Sequence, residues 1–216
     1  MTSTKRIICT RCLRPQRTCI CQWITPVAHK LELLLLQHPL EVNNAKGSAR
    51  LLHLSLPHSR LMVGETFAED ELQALLYAPF QTDQTDSIEH DNKEIYPVLL
   101  YPATPEDQNI PLPPLADFTT GNEARQMRLV VLDGTWRKSR KMLYLNPLLQ
   151  QLPRMPLNDP PASHYRIRKA HKTDQLSTFE AGCYALMQLE QDAAKYQPLL
   201  QAFDGFVEQL SRYASN

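Results

Sequence analysis

The sequence predicts an α/β protein with a small N-terminal metal-binding segment, and three observations lead there. Four of the five cysteines, Cys9, Cys12, Cys19 and Cys21, fall within thirteen residues. Short apolar runs alternate with stretches whose apolar residues recur at helical spacing. Residues 128–149, RLVVLDGTWRKSRKMLYLNPLL, place an apolar strand, a tight Asp133-Gly134 turn and an amphipathic helix in direct succession.

The cysteines form a C-x2-C-x6-C-x-C cluster in a segment with five Lys or Arg residues before Trp23. Four thiolates close a tetrahedral zinc shell and leave no open position for an activated water, so zinc here is structural. So polar a segment has little core of its own, and metal ligation supplies the constraint that holds its turns. An iron–sulfur cluster is the nearest alternative for four thiolates. Disulfides or redox activity are weaker without an oxidising address. Cys183 stands apart, inside an expected helix, as a buried small hydrophobe.

Along the rest of the chain, Lys30 to Gln37 reads as an inner strand ending at His38 and Pro39. Ala49, Leu52 and Leu56 give Ser48 to Leu56 a helical stripe, and Leu61 to Val63 reads as a short strand. Thr66 with Glu69 forms a capping box ahead of Leu72, Leu75 and Leu76, which predicts a helix. Tyr96 to Tyr101 resumes a strand, with Pro97 expected at its first residue or on an edge. The acidic stretch Gln81 to Glu94 and the proline-rich stretch Pro102 to Thr120 read as loops or a lid.

The strand–turn–helix at 128–149 offers a site. The carboxyl end of such a strand opens into a crevice, and a helix starting near Thr135 points free amides toward a ligand. Trp136 suits stacking on a base, and Arg137, Lys138, Arg140 and Lys141 suit phosphates. The same residues also fit a plain packing role, with Asp133 as a helix cap and Trp136 against Leu143. No G-x-G-x-x-G or G-x-x-x-x-G-K-[ST] occurs. Further on, Arg166, Arg168, Lys169 and Lys172 make a basic loop or edge strand ahead of Leu176-Ser177-Thr178-Phe179-Glu180. There Ser177 and Glu180 form a capping box, and Phe179, Cys183, Leu186 and Met187 a buried stripe. The amides and hydroxyls at that helix start also suit a cofactor carboxylate or ribose.

Composition bounds the function. The 216 residues, 43% hydrophobic, suffice for one substantial core or two small ones. No apolar run approaches the roughly eighteen residues of a membrane span. The start, MTSTKRIICTRC, lacks a signal peptide's apolar region and cleavage site, so the expected compartment is the cytosol, without membrane or obligate protein partner. The formal charge is zero, yet residues 1–60 carry net +7, 61–120 net −11, 121–175 net +7 and the remainder net −3. Two basic segments converging on one face would bind a phosphate backbone despite that neutrality.

These pieces resemble the DTW-domain family, and within it the bacterial tRNA-uridine aminocarboxypropyltransferases. The resemblance rests on the four cysteines, His38-Pro39-x-Glu41, Asp133-Gly134-Thr135-Trp136, Ser163-x-Tyr165-x-Ile167-Arg168 and Leu176-Ser177-Thr178-x-Glu180-Ala181, in family order over almost the full chain. It implies a SPOUT-like knotted, Rossmann-type domain over residues 26–216 behind a zinc-binding module at residues 1–25. One segment departs: 43–50, NNAKGSAR, stands where relatives carry a threonine-containing sequence.

The resemblance also implies a reaction, transfer of the 3-amino-3-carboxypropyl group of S-adenosylmethionine to N3 of a tRNA uridine. Asp133 is then expected to receive or orient the N3 proton, or else to hold the cofactor's amino group, with Thr135 and Trp136 shaping the pocket. Arg168 pairs with the cofactor carboxylate, and Leu176, Ser177, Thr178 and Glu180 lie at the cofactor pocket. Arg11, Arg14 and Arg17, with Arg137, Lys138, Arg140, Lys141, Arg166, Lys169 and Lys172, are expected to bind tRNA. A ribosomal RNA substrate and a non-catalytic zinc RNA-binding role are the alternatives.

Overall fold

The computed structural model describes residues 7–80, 93–102, 110, 113, 125–165 and 176–214. The acidic segment 81–92, most of the proline-rich segment and the basic run 166–175 lie outside the described residues. In chain order the elements are β1 (Glu32–Gln37), α1 (Ala49–Ser55), β2 (Ser59–Val63), α2 (Glu69–Tyr77), β3 (Glu94–Leu100), β4 (Arg125–Asp133), α3 (Trp136–Leu145), α4 (Pro147–Gln150), β5 (Arg154–Met155), α5 (Thr178–Glu190) and α6 (Ala193–Ala214). They form two compact units.

One unit takes His29–Val42 and His58–Pro160 and holds the sheet. Its five strands run in the order β2-β1-β4-β3-β5, and every pairing is parallel. Parallel strands covered on both faces read as continuous apolar runs rather than alternating ones, which is why ELLLLQ of β1 is buried along its whole length. On one face Leu34, Leu36, Leu99, Val130 and Leu132 pack with Leu72, Leu75 and Leu76 of α2, Met142 and Leu143 of α3, and Leu149 of α4. The residues of opposite phase, Leu33, Leu35, Val98, Leu129 and Val131, are buried too.

One local expectation is corrected, and the edge position expected of Pro97 is found. Helix α2 begins at Glu69 with Ala68 as its N-cap and no side-chain cap, so Thr66 and Glu69 form no capping box. The reason is Asn146, whose Oδ1 accepts from the amide of Phe67 and whose Nδ2 donates to the carbonyl of Glu65, holding the residues around Thr66 in a loop. Pro97 sits inside β3, opposite Arg128 of β4. Its missing N–H is tolerated because β5 pairs only with Leu99 and Leu100, so β3 is still an edge on that flank at Pro97.

Arg128 is a charged side chain buried completely within β4. Its Nε and Nη2 donate to Glu32 Oε2 at 2.8 and 2.5 Å, and Nη1 and Nη2 donate to the carbonyls of Leu75 and Ala78 at 2.5 and 2.8 Å. Those carbonyls belong to the open C-terminal end of α2, where no intrahelical donor remains. The guanidinium also lies 4.0 Å from the centroid of Phe80. A single arginine therefore caps α2 and ties it to β1 and β4.

The second unit takes the described parts of Met1–Ala28, Asn43–Pro57 and Pro161–Asn216. Helices α5 and α6 meet through Phe179 and Phe203, stacked with centroids 4.7 Å apart, and α5 approaches α1 at Gly182, where a Cβ would lie 2.6 Å from Leu52. The cysteine segment docks on α6. A Cβ at Gly205 would lie 2.2 Å from the Trp23 ring, Trp23 Nε1 and Gln22 Nε2 donate to Gln209 Oε1, Gln209 Nε2 donates to the carbonyl of Cys19, and the Tyr213 hydroxyl donates to that of Arg17. Gly205, Gln209 and Tyr213 are spaced four apart and share one helix face. Among the described residues no helix is long and apolar enough to cross a membrane.

Replacing Arg128 with Met is expected to cost about 3–5 kcal/mol in urea unfolding, because Glu32 is left buried without its cation and two carbonyls lose their donor. Pairing Arg128→Met with Glu32→Leu should recover part of that loss. A change below about 1 kcal/mol in the single variant would contradict this account of the arginine.

Candidate active site and metal centre

Strand β1 leads on to β2 on one side, and β4 leads past β3 to β5 on the other. The connections diverge between β1 and β4, and in parallel sheets the crevice beyond the carboxyl ends of such strands is where ligands bind. Asp133 closes β4 there, opposite Gln37 of β1. Its carboxylate is buried, Oδ2 accepts from Gln37 Nε2 at 2.7 Å, and its carbonyl accepts from the His38 amide at 2.9 Å.

Asp133 is not the helix cap. Thr135 is: its Oγ1 accepts from the amide of Lys138 at 3.4 Å, and α3 starts at Trp136. Trp136 does not pack into the core as Leu143 does. It stacks on Tyr101, with ring centroids 5.0 Å apart and planes 13° apart, and remains 52% exposed, so an aromatic surface stands just past the carboxyl ends of β3 and β4.

The His38-Pro39-x-Glu41 motif lies at the same edge. His38 Nδ1 accepts from the Leu40 amide at 3.1 Å, which leaves Nε2 to donate to Glu65 Oε1 at 2.8 Å. Lys138 Nζ reaches Glu41 at 2.7 Å, and Lys141 Nζ reaches the other oxygen of Glu65 at 2.9 Å. The Lys141 ammonium, then His38, hold the Glu65 carboxyl below its usual range. Lys138 and Lys141, both expected to meet phosphate, are thus paired with acids; Arg137 and Arg140 are exposed. Gln37, Glu65 and Tyr101 were not singled out from sequence. The available signal was a polar or aromatic residue closing an otherwise apolar strand, at Gln37 and Tyr101.

The other expected site residues belong to the second unit. Ser177 caps α5, its Oγ accepting from the Glu180 amide at 3.2 Å while Glu180 Oε2 accepts from the Ser177 amide at 2.8 Å, so the capping box is present. The buried Glu180 carboxylate also accepts from the Ser163 hydroxyl at 2.9 and 3.0 Å and from the His164 amide at 2.7 Å. Two motifs of the sequence, around Ser163 and around Ser177, are thereby fastened to each other. The amide of Phe179 donates to Ser48 Oγ at 3.2 Å, so it and the Glu180 amide would have to give up a protein partner to hold a carboxylate. Leu176 and Thr178 are half-buried, and Arg166, Arg168, Lys169 and Lys172 lie outside the described residues.

Arg14 is engaged within its own unit. Its Nη1 and Nη2 donate to the carbonyls of Ala45 and Gly47 at 2.7 and 2.5 Å, its guanidinium lies 5.3 Å from the Phe206 centroid, and burial lowers its pKa. Arg11 and Arg17 are exposed.

The thiols of Cys9, Cys12, Cys19 and Cys21 lie within 4.8 Å of one another, with Cys9 to Cys21 at 3.6 Å and Cys12 to Cys19 at 3.7 Å. A disulfide would require about 2.05 Å. Tetrahedral zinc with Zn–S bonds of about 2.3 Å has ligand edges of about 3.8 Å, which these separations match. A multi-iron cluster, with thiolates on different irons, needs them spread farther apart than four ligands of one ion. Amides of Cys12 and Arg11 hold the Cys9 thiol down to about 6, whereas burial and the neighbouring thiols push Cys21 up to about 12. Four thiolates do not coexist at this spacing without a cation, and a dication removes that conflict. Cys183 is fully buried, and its thiol pKa is raised by burial.

The class so defined is a parallel α/β protein with a buried carboxylate at the divergence of its strand order, joined in one chain to a four-thiolate site suited to zinc. Residues 6–211 match the family model described as the DTW domain, and the chain belongs to the DTW-domain family. Three similar proteins carry the name tRNA-uridine aminocarboxypropyltransferase 2. Those from Macaca fascicularis and Mus musculus are 26% and 27% identical over 199 and 201 residues, each covering 91% of this chain and 61% of the relative. The one from Drosophila melanogaster is 28% identical over 201 residues, covering 91% of this chain and 72% of the relative. These relatives are animal proteins, although the motifs suggested the bacterial branch, and the chain spans about three-fifths of the length of the two mammalian ones. No solved structure matches the chain.

Protein prepared without chelator is expected to carry one zinc per chain by elemental analysis. Cys21→Ser should lose most of it and melt at a lower temperature, and acidification should release the ion as protons compete for the thiolates. Full folding with no bound metal would contradict a structural role.

Proposed function

We propose that this chain is a cytoplasmic S-adenosylmethionine-dependent tRNA-uridine aminocarboxypropyltransferase that forms acp3U. The observation that carries the reading is the buried Asp133 carboxylate, held by Gln37 at the divergence of the strand order beside the exposed Trp136 ring. The DTW match and the name shared by the relatives support the substrate class.

S-adenosylmethionine supplies an electrophilic Cγ: uridine N3 gives up its proton and bonds to that carbon as the carbon–sulfur bond breaks, and methylthioadenosine leaves with the electron pair. Asp133 receives or orients the N3 proton. A carboxylate is a weak base for free uridine, so fixed placement and exclusion of water have to reduce the mismatch. Gln37 fixes that carboxylate. The exposed face of Trp136 offers a stacking surface for a base or adenine. Arg168 pairs with the cofactor carboxylate, Leu176, Ser177 and Thr178 shape its pocket, and Glu180 acts by positioning Ser163 and Ser177. Geometry rather than reactivity selects the aminocarboxypropyl group over the methyl.

For tRNA, Arg11, Arg17, Arg137 and Arg140 act with Arg166, Lys169 and Lys172 on phosphates, while Arg14 holds the 45–47 loop and Lys138 and Lys141 hold Glu41 and Glu65. Residues 1–25 form the zinc module, and residues 26–216 form the catalytic part, with the SPOUT-like knotted, Rossmann-type arrangement that the family resemblance implies.

Mass analysis of nucleosides from tRNA incubated with the protein and S-adenosylmethionine should show one aminocarboxypropyl addition on a uridine. A methylated uridine, or no gain with a competent tRNA, would contradict the reaction. In single-turnover assays Asp133→Asn should slow transfer about 10²–10⁴-fold with cofactor binding kept. Loss of binding along with transfer would reassign Asp133 to the cofactor amino group. Gln37→Leu should slow transfer in the wild-type background and add nothing in the Asp133→Asn background, since it acts through that carboxylate.

A further inference from the structure

The cysteine segment opens with a hairpin. The amide of Gln16 donates to the carbonyl of Ile7 at 2.9 Å, Cys9 to Arg14 at 2.8 Å and Leu13 to Cys9 at 2.9 Å, and Ile8 bridges Pro15. Leu13 lies in the left-handed region, with φ 58°. Two other non-glycine residues among the described ones share that sign, Asp159 and Gln191; both are polar, and Gln191 is a helix C-cap. A branched apolar side chain is a poor choice for this backbone, which glycine and asparagine adopt readily. It gains no burial in exchange, because Leu13 is 59% exposed, and Ile7 and Ile8 of the same hairpin are 75% and 49% exposed. Strain kept with an apolar group in water points to a contact outside the chain.

The charge around it says what that contact is. From Ile7 to Trp23 the segment carries Arg11, Arg14 and Arg17 and no acidic residue, and Arg11 and Arg17 are exposed. An exposed apolar side chain in a segment that carries arginines and no acid matches a folded RNA at a position where a base has left its stack: the base face meets the side chain and the flanking phosphates meet the arginines. We infer that Leu13 packs against an unstacked nucleobase of the bound tRNA, so that the metal-binding segment reads RNA shape as well as backbone charge. The inference rests on the reading of tRNA as substrate and extends it to the segment that carries no catalytic residue.

The test is Leu13→Asn in the full chain, a replacement suited to φ 58°. Fluorescence anisotropy with an unmodified tRNA transcript should show binding weakened about three- to ten-fold at every salt concentration. The slope of log affinity against log salt should stay unchanged, because no cation is removed. Zinc content should be equal and the melting temperature no lower. Wild-type affinity in the variant would overturn the inference. So would a loss accompanied by a flatter salt slope, which would mean that the arginines had moved and that Leu13 is structural. Conversion of a self-associated wild type to monomer in sedimentation, with tRNA affinity unchanged, would assign the patch to a second copy of the chain and overturn it as well, as would a wild type that binds no tRNA. If wild type binds tRNA and Leu13→Asn weakens it while no acp3U forms, the transfer reaction fails and this inference stands.

Discussion

Strand β1 lies parallel to β4 in a register that sets Gln37 against Asp133, and the 2.7 Å hydrogen bond between their side chains is the contact on which the candidate active site depends. Leu33 to Leu36 lie opposite Leu129 to Leu132 and are buried on both faces, so the polar pairs at the two ends, Glu32 with Arg128 and Gln37 with Asp133, select that register. A shift of one residue would still set apolar residues against each other along most of the run, but it would take Gln37 away from the carboxylate and Glu32 away from Arg128. Hydrophobic burial holds the strands together, and the polar pairs at their ends, in which neither partner could be buried cheaply alone, set the alignment.

The second unit is organised by different means. Glu180 gathers the Ser163 hydroxyl and the His164 and Ser177 amides, Arg14 and Tyr165 bind three successive carbonyls at residues 45–47, and one face of α6 carries the cysteine segment. Most of these partners are side chains bonding to backbone, which suits loops that must be held without a sheet ladder. The four thiols, gathered in the same unit, could hold a metal ion.

Much of this was legible in the sequence because local rules governed it. The continuous apolar runs gave β1 and β4, Ser177 with Glu180 gave the start of α5, Thr135 gave the approximate start of α3, and C-x2-C-x6-C-x-C gave a four-thiol site. What escaped is tertiary. Gln37 closes a leucine run and reads as the entry to a loop until β4, 96 positions later, lies beside it. Arg14 reads as one more cation near the cysteines until its fork meets carbonyls more than thirty residues away. Thr66 and Glu69 satisfied the capping pattern, but Asn146 claimed the backbone around them first. Local chemistry selects among conformations only where no distant partner offers a better hydrogen bond.

The proposed reaction takes place at the carboxyl ends of β1 and β4, beside Asp133. Adding methylthioadenosine to isotope-labelled full-length protein and mapping NMR shifts tests it most directly. Changes are expected at Gln37, His38 and Asp133 to Trp136, including the Gln37 side-chain amide. Saturable binding that leaves all of these resonances in place would contradict that placement.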